Sequence, residues 1–190
     1  MPLTTLDPVT ALIVIDLQKG IADHAFLRPL PEVVERTRPL LDAFREAGLP
    51  VVLVNVAARP PGRTEQGPRG SITLAEGWTD LLPELERQPD DIVVTKRSWG
   101  AFATTDLESR LKARGVTQVV VTGLVTSAGV EATARQAYEQ GFHVTLALDA
   151  MTDIREDAQN YSARNVFPRL GETGSAQEII AMLKNRGAEV

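Results

Sequence analysis

The sequence predicts an α/β domain built on a parallel sheet covered on both faces. Two patterns carry that prediction. Short apolar runs alternate along the whole chain with stretches whose apolar residues recur at helical spacing. The short runs are also apolar at nearly every position. A strand with one solvated face alternates apolar and polar residues, whereas a strand buried on both faces does not. Glycines at 48, 115 and 141 follow the helical stretches as stop signals.

Residues 11–17 are the first strand. Residues 32–47 set Val33, Val34, Leu40, Leu41 and Phe44 at helical spacing and end at Gly48. Pro39 interrupts this helix, which predicts a kink or two pieces. Residues 51–57 and 92–95 are the second and third strands. Residues 106–113 form a helix closed by Gly115, and 118–122 are the fourth strand. Residues 130–140 form a helix closed by Gly141, and 143–148 are the fifth strand. Residues 157–166 read as a helix, 170–175 as a weak, glycine-broken sixth strand, and 176–185 as a last helix. The one irregular segment, residues 59–77, is rich in Gly, Pro, Arg and Gln. It is either a solvated loop or a lid over a site.

A length of 190 residues fits a single domain over 1–190. Hydrophobic residues at 43% and charged residues at 24% are ordinary for a soluble globular protein. A net charge of −5 argues against nucleic acid or an anionic membrane as partner. No apolar run approaches the ~20 residues of a membrane span, and the first residues show no secretory pattern, so the expected location is cytoplasmic. The sequence contains no cysteine, which excludes disulfides, thiolate metal sites and thiol catalysis.

Ligands of open α/β sheets bind at the carboxyl ends of the strands. Asp16 and Lys96 both stand there. Each has a plain structural alternative: Asp16 as a cap on the next turn, Lys96 as a surface lysine beside Arg97. The turn from Gly123 to Gly129 opens a helix, so its backbone N–H groups face the same region. Ser127 within it is a helix cap or, less readily, a nucleophile, since no histidine is placed to act as its base. Arg59, Arg63 and Arg69 lie in the irregular segment. Trp99 either flanks a ligand or packs, and Phe102 belongs to the core. Glu131 and Arg135 have the i,i+4 spacing of an ion pair. Asp149, at the end of strand five, buttresses loops. His24, near a pocket mouth, and His143 lie too far apart in sequence to suggest a metal site of the usual kind.

Three segments carry a family resemblance. Residues 123–135, G-L-V-T-S-A-G-V-E-A-T-A-R, are similar to the signature G-x-x-T-x-x-C-V-x-x-T-A of the isochorismatase-like hydrolases. Residues 11–18, A-L-I-V-I-D-L-Q, resemble that family's first strand with its catalytic Asp. Residues 96–102, K-R-S-W-G-A-F, resemble its lysine loop. Order and spacing agree from about residue 10 to 183.

The resemblance implies a doubly wound, mostly parallel six-stranded sheet with helices on both faces. It implies catalytic roles for Asp16 and Lys96, with the nucleophile's place falling on Gly129. It also implies a non-proline cis peptide at Leu124–Val125, next to the backbone N–H groups of the turn. Members that cleave isochorismate likewise carry glycine at that place and use the Asp as general acid on a vinyl ether. They hold their substrate with a Gln and an Arg after strand two. Arg69 matches the Arg, and Arg59 stands where the Gln would be, a departure. Leu124, Val125, Ser127 and Trp99 complete the expected substrate-binding set. Nicotinamidases of the family hold a metal with Asp and several His, which this chain lacks, so no metal or cofactor is expected. The implied partners are a small carboxylated substrate and further copies of the chain in a homodimer or higher oligomer. The alternative is a non-catalytic small-ligand-binding or scaffold protein that has lost its nucleophile.

Overall fold

A computed structural model describes residues 3–65, 67–69 and 73–186. The strands are β1 (Thr10–Ile15), β2 (Val51–Val56), β3 (Gly62–Thr64), β4 (Gly67–Arg69), β5 (Ile92–Lys96), β6 (Gln118–Leu124), β7 (His143–Thr152) and β8 (Glu172–Gly174). The α-helices are α1 (Leu30–Glu46), α2 (Leu107–Lys112), α3 (Glu131–Glu139), α4 (Glu156–Tyr161), α5 (Phe167–Leu170) and α6 (Ala176–Arg186). No helix among the described residues is long and apolar enough to cross a membrane.

Six strands form one sheet in the order β5-β2-β1-β6-β7-β8, every neighbouring pair parallel. Alternate residues of each strand enter different cores. Ile13, Ile15, Val52, Val54, Val119 and Val121 pack with Phe102, Leu107, Ala134 and Phe167 on one face. Leu12, Val14, Leu53 and Val120 pack with Leu40, Phe44 and Ile179 on the other. That two-sided burial explains why the strand sequences do not alternate. The chain winds outward from β1 in both directions, so the crevice between the carboxyl ends of β1 and β6 is the topological switch point.

Several elements differ from expectation. Helix α1 is one continuous element with Pro39 inside it, and not two pieces. Pro39 lies on the exposed side, so the carbonyl of Glu35 that loses its partner faces water. Strand β7 runs on to Thr152, and its register against β6 shifts between Val121 and Gly123. The helix expected over 130–140 begins one turn earlier, as the π-helical turn Thr126–Val130 ahead of α3. The helix expected over 157–166 divides into α4, a second π-helical turn Ser162–Val166, and α5. The irregular segment contains the hairpin β3–β4.

At Gly123, with φ 108°, a Cβ would lie 2.2 Å from the Ile15 carbonyl oxygen. Only glycine lets β6 approach the end of β1 this closely.

Candidate active site

Asp16 is the first residue beyond β1, with φ 55° in the left-handed region that Asp tolerates better than most residues. Its N–H donates to the Val54 carbonyl at 2.9 Å, and its own carbonyl accepts from the Gln18 N–H at 2.9 Å. Gln18 locks this turn onto the end of β2. Its Oε1 accepts from Val56 N–H at 2.7 Å, and its Nε2 donates to the Val56 and Trp78 carbonyls, each at 3.1 Å. Backbone hydrogen bonds and the Gln18 side chain together thus fix the acid in place.

Lys96 ends β5, two strands away. Its long side chain crosses the end of β2 and donates from Nζ to Asp16 Oδ2 at 2.7 Å and to the Ser98 carbonyl at 3.3 Å. Lys96 is 2% exposed and Asp16 5%. Lys96 is therefore no surface lysine, and among the described residues the Asp16 carboxyl takes no N–H group of the next turn. Asp16 Oδ1 is buried and has no hydrogen-bond partner among the described residues. Burial pushes the Asp16 carboxyl up from 3.8 to about 6, against the opposing charge and hydrogen bond of Lys96. Desolvation wins because the carboxylate has lost most of its water and gained only one cation.

Gly129 closes the site from above. A Cβ there would lie 2.8 Å from the Leu124 carbonyl oxygen, 3.1 Å from Ile15 Cγ2 and 3.3 Å from Asp16 Oδ2. A side chain there would press on the Leu124 carbonyl, and glycine leaves the space over Asp16 open. The Leu124–Val125 peptide bond is cis.

Asp16, Lys96 and Gly129 line a cavity of about 430 Å³, together with Arg59, Trp99 and Val125 from the expected substrate-binding set. Leu124 is fully buried and is not on the cavity wall. Ser127 is not on the wall either, and its side chain caps nothing. The cap comes instead from buried Asp153, whose Oδ2 accepts from Ser127 N–H at 2.7 Å while Oδ1 accepts from the Ile154 and Arg155 N–H groups at 2.7 and 3.2 Å. Arg69 has its backbone in β4, but its side chain, like Gln66 and Gly70, lies outside the described residues. Arg59 is exposed at the cavity and makes no ion pair among the described residues.

The remaining candidates take structural places or sit at the rim. His24 lines the cavity, its Nδ1 3.1 Å from the Ile21 carbonyl. Phe102 is core and packs on Phe142. Asp149 accepts the Ala176 N–H at 2.7 Å and so ties β7 to the start of α6. Glu131 pairs with Arg135 at 2.9 Å and accepts from the Ser162 hydroxyl at 2.6 Å. Among the described residues, no three His, Asp or Glu side chains gather closely enough to hold a metal ion.

Gly20, Phe26, Trp78 and Ile154 also line the cavity and were missed from sequence. Both tryptophans of the chain, Trp78 and Trp99, meet there. The pairing of two rare, large residues with a single glycine-broken turn was the available signal.

A buried carboxyl group paired with a lysine thus lies at the switch point of a doubly wound sheet. The Isochorismatase domain model matches residues 10–178. An isochorismatase family protein from Burkholderia thailandensis superposes with a TM-score of 0.89 at 39% identity, covering 95% of this chain and 98% of that one. The isochorismatase family protein YwoC of Bacillus subtilis is 36% identical over 181 residues, 92% of this chain and 94% of its own. Ureidoacrylate amidohydrolase RutB of Stutzerimonas stutzeri is 30% identical over 178 residues, 78% of this chain and 72% of its own. The chain belongs to the isochorismatase family and is a hydrolase. It carries no cysteine.

Proposed function

We propose that this hydrolase cleaves a small carboxylated vinyl ether, of which isochorismate is the type, with Asp16 as general acid and Lys96 as its partner. The observation that carries the reading is the division of labour on one carboxyl group. Oδ2 is held by Lys96, while Oδ1 is buried, unpartnered among the described residues, and carried by a group whose pKa is raised to about 6. A general acid works best when its pKa lies near the working pH. Burial raises the share of Asp16 that carries a proton near neutral pH, and Lys96 keeps the acid strong enough to release it.

In the reaction, Oδ1–H gives its proton to the terminal methylene carbon, and the C=C electron pair forms the new C–H bond. Positive charge spreads over the adjacent carbon and the ether oxygen, and the Asp16 carboxylate now faces it across the cavity. Water attacks that carbon and returns a proton to Asp16. The resulting hemiketal breaks its C–O bond: the alcohol oxygen takes a proton, the hydroxyl loses one, and pyruvate leaves beside the alcohol. No nucleophilic side chain is needed, which accords with glycine at 129. Arg59 supplies a cation for a substrate carboxylate. We also read the protein as a cytoplasmic homo-oligomer, a state that light scattering checks.

The test is release of pyruvate from isochorismate by wild type and Asp16→Asn. Release by wild type that falls at least about a thousandfold in the variant is expected for loss of a general acid. No release from wild type sinks isochorismate as substrate. Equal release from both sinks Asp16 as the acid.

A further inference from the structure

The loop that follows Lys96 is held by the helix that follows Gly129. Three successive N–H groups of the loop bond to two side chains of α3. Ala101 N–H donates to Thr133 Oγ1 at 3.2 Å, and the Phe102 and Ala103 N–H groups donate to Gln136 Oε1 at 2.9 and 3.3 Å. The Thr133 hydroxyl in turn donates to the Gly129 carbonyl at 2.7 Å. Gly100 completes the clasp. A Cβ there would lie 2.3 Å from Gln136 Oε1, 2.4 Å from Cδ and 2.5 Å from Nε2, so the amide occupies the place of a side chain. The clasped segment leads straight back to the site. Ser98 Oγ donates to the Gly100 carbonyl at 3.0 Å, and the Ser98 carbonyl accepts from Lys96 Nζ at 3.3 Å. The same Nζ reaches Asp16 Oδ2 at 2.7 Å.

We propose that Gln136 is a positioning residue for the Asp16–Lys96 pair: by clasping residues 100–103 it fixes the Ser98 carbonyl and so aims the Lys96 ammonium at Asp16. The proposal rests on that pair as the working site but not on the substrate assigned to it. Gln136 lies about two helical turns beyond Gly129 and is not on the cavity wall, so it acts through the loop. Lys96 depends on such a guide because an ammonium is a point charge on a flexible stem, without the fixed fork of a guanidinium. Of the titratable groups on the cavity, Asp16, His24, Arg59 and Lys96, only Lys96 hydrogen-bonds to Asp16 among the described residues.

The test reads the Asp16 carboxyl by carbon-13 titration in wild type, Gln136→Leu, Gly100→Ala and Gln136→Glu. Gln136→Leu removes the acceptor of two N–H groups, and Gly100→Ala puts a methyl where the amide lies. Each should let Lys96 drift from Asp16, so the acid constant of Asp16 should fall about threefold. Gln136→Glu keeps a side-chain oxygen for the loop and should titrate as wild type does, its added charge being largely screened at ~0.15 M salt. A residue that merely braces the fold would lower stability in denaturant unfolding and leave Asp16 where it is. That result in folded Gln136→Leu and Gly100→Ala overturns the proposal, as does an equal fall in Gln136→Glu. Circular dichroism on each variant separates a lost clasp from a lost fold. No substrate enters this titration, so it can succeed where pyruvate release from isochorismate fails.

Discussion

At the scale of single residues, the site is a contest between burial and charge on one carboxyl group. Burial raises Asp16 to about 6 and Lys96 opposes it. Replacing Lys96 with Met removes the opposing cation and hydrogen bond, so the Asp16 pKa should rise further. Carbon-13 titration of the carboxyl groups reads this directly; an unchanged or lowered value would contradict the account. Stability follows by linkage. The folded state binds the Asp16 proton more tightly than the unfolded state, whose carboxyl titrates near 3.8. The contribution is present in full below that value and is lost as pH rises through about 6. Denaturant unfolding of wild type against Asp16→Asn should therefore show the difference moving against wild type between pH 4 and 6. Gly129→Cys is expected to destabilise by about 1–3 kcal/mol in denaturant unfolding, through overpacking against the Leu124 carbonyl. Asp16, Lys96 and Gly129 were legible because a strand's end and a helix's beginning are local patterns. The meeting of Gly20 and Trp78 on the cavity wall was not, since only the fold brings together segments 58 residues apart.

At the scale of elements, the turn that carries Gly129 depends on the residue just beyond the end of β7. Asp153 accepts three N–H groups, from Ser127, Ile154 and Arg155, while its own carbonyl accepts from Leu27 N–H at 2.8 Å. Asp153→Ala leaves those donors without their acceptor and should cost about 2–3 kcal/mol in denaturant unfolding. A loss under 0.5 kcal/mol would mean that water replaces the carboxylate freely. Sequence reading assigned the capping to Ser127 because Ser at a helix start commonly accepts the free N–H groups. The π-helical turn moves the helix start to Thr126 and turns the Ser127 N–H toward β7 instead. Pro39 was read as a kink or a division into two pieces for a sound local reason. Its exposed position in α1 lets water take the freed carbonyl, so tertiary packing of Val33, Val34, Leu40, Leu41 and Phe44 carries the helix through.

At the scale of the whole molecule, the sheet does two things. Burial of alternate strand residues in two cores holds the fold, and reversal of winding at β1 opens the crevice where Asp16 and Lys96 meet. The parallel sheet was legible because two-faced burial leaves its mark on every strand. The hairpin β3–β4 was hidden because its three-residue strands, rich in Gly, Pro and Arg, have no apolar face to betray them. The central claim is that a protonated Asp16 drives hydrolysis of a vinyl ether. The pH dependence of the pyruvate-release rate from isochorismate tests it most directly, with Asp16→Asn alongside. The account predicts a wild-type rate that declines as pH rises through about 6, where Asp16 gives up its proton, and a variant without measurable release. A wild-type rate that holds level or climbs between pH 6 and 8, or release that persists in Asp16→Asn, would contradict it.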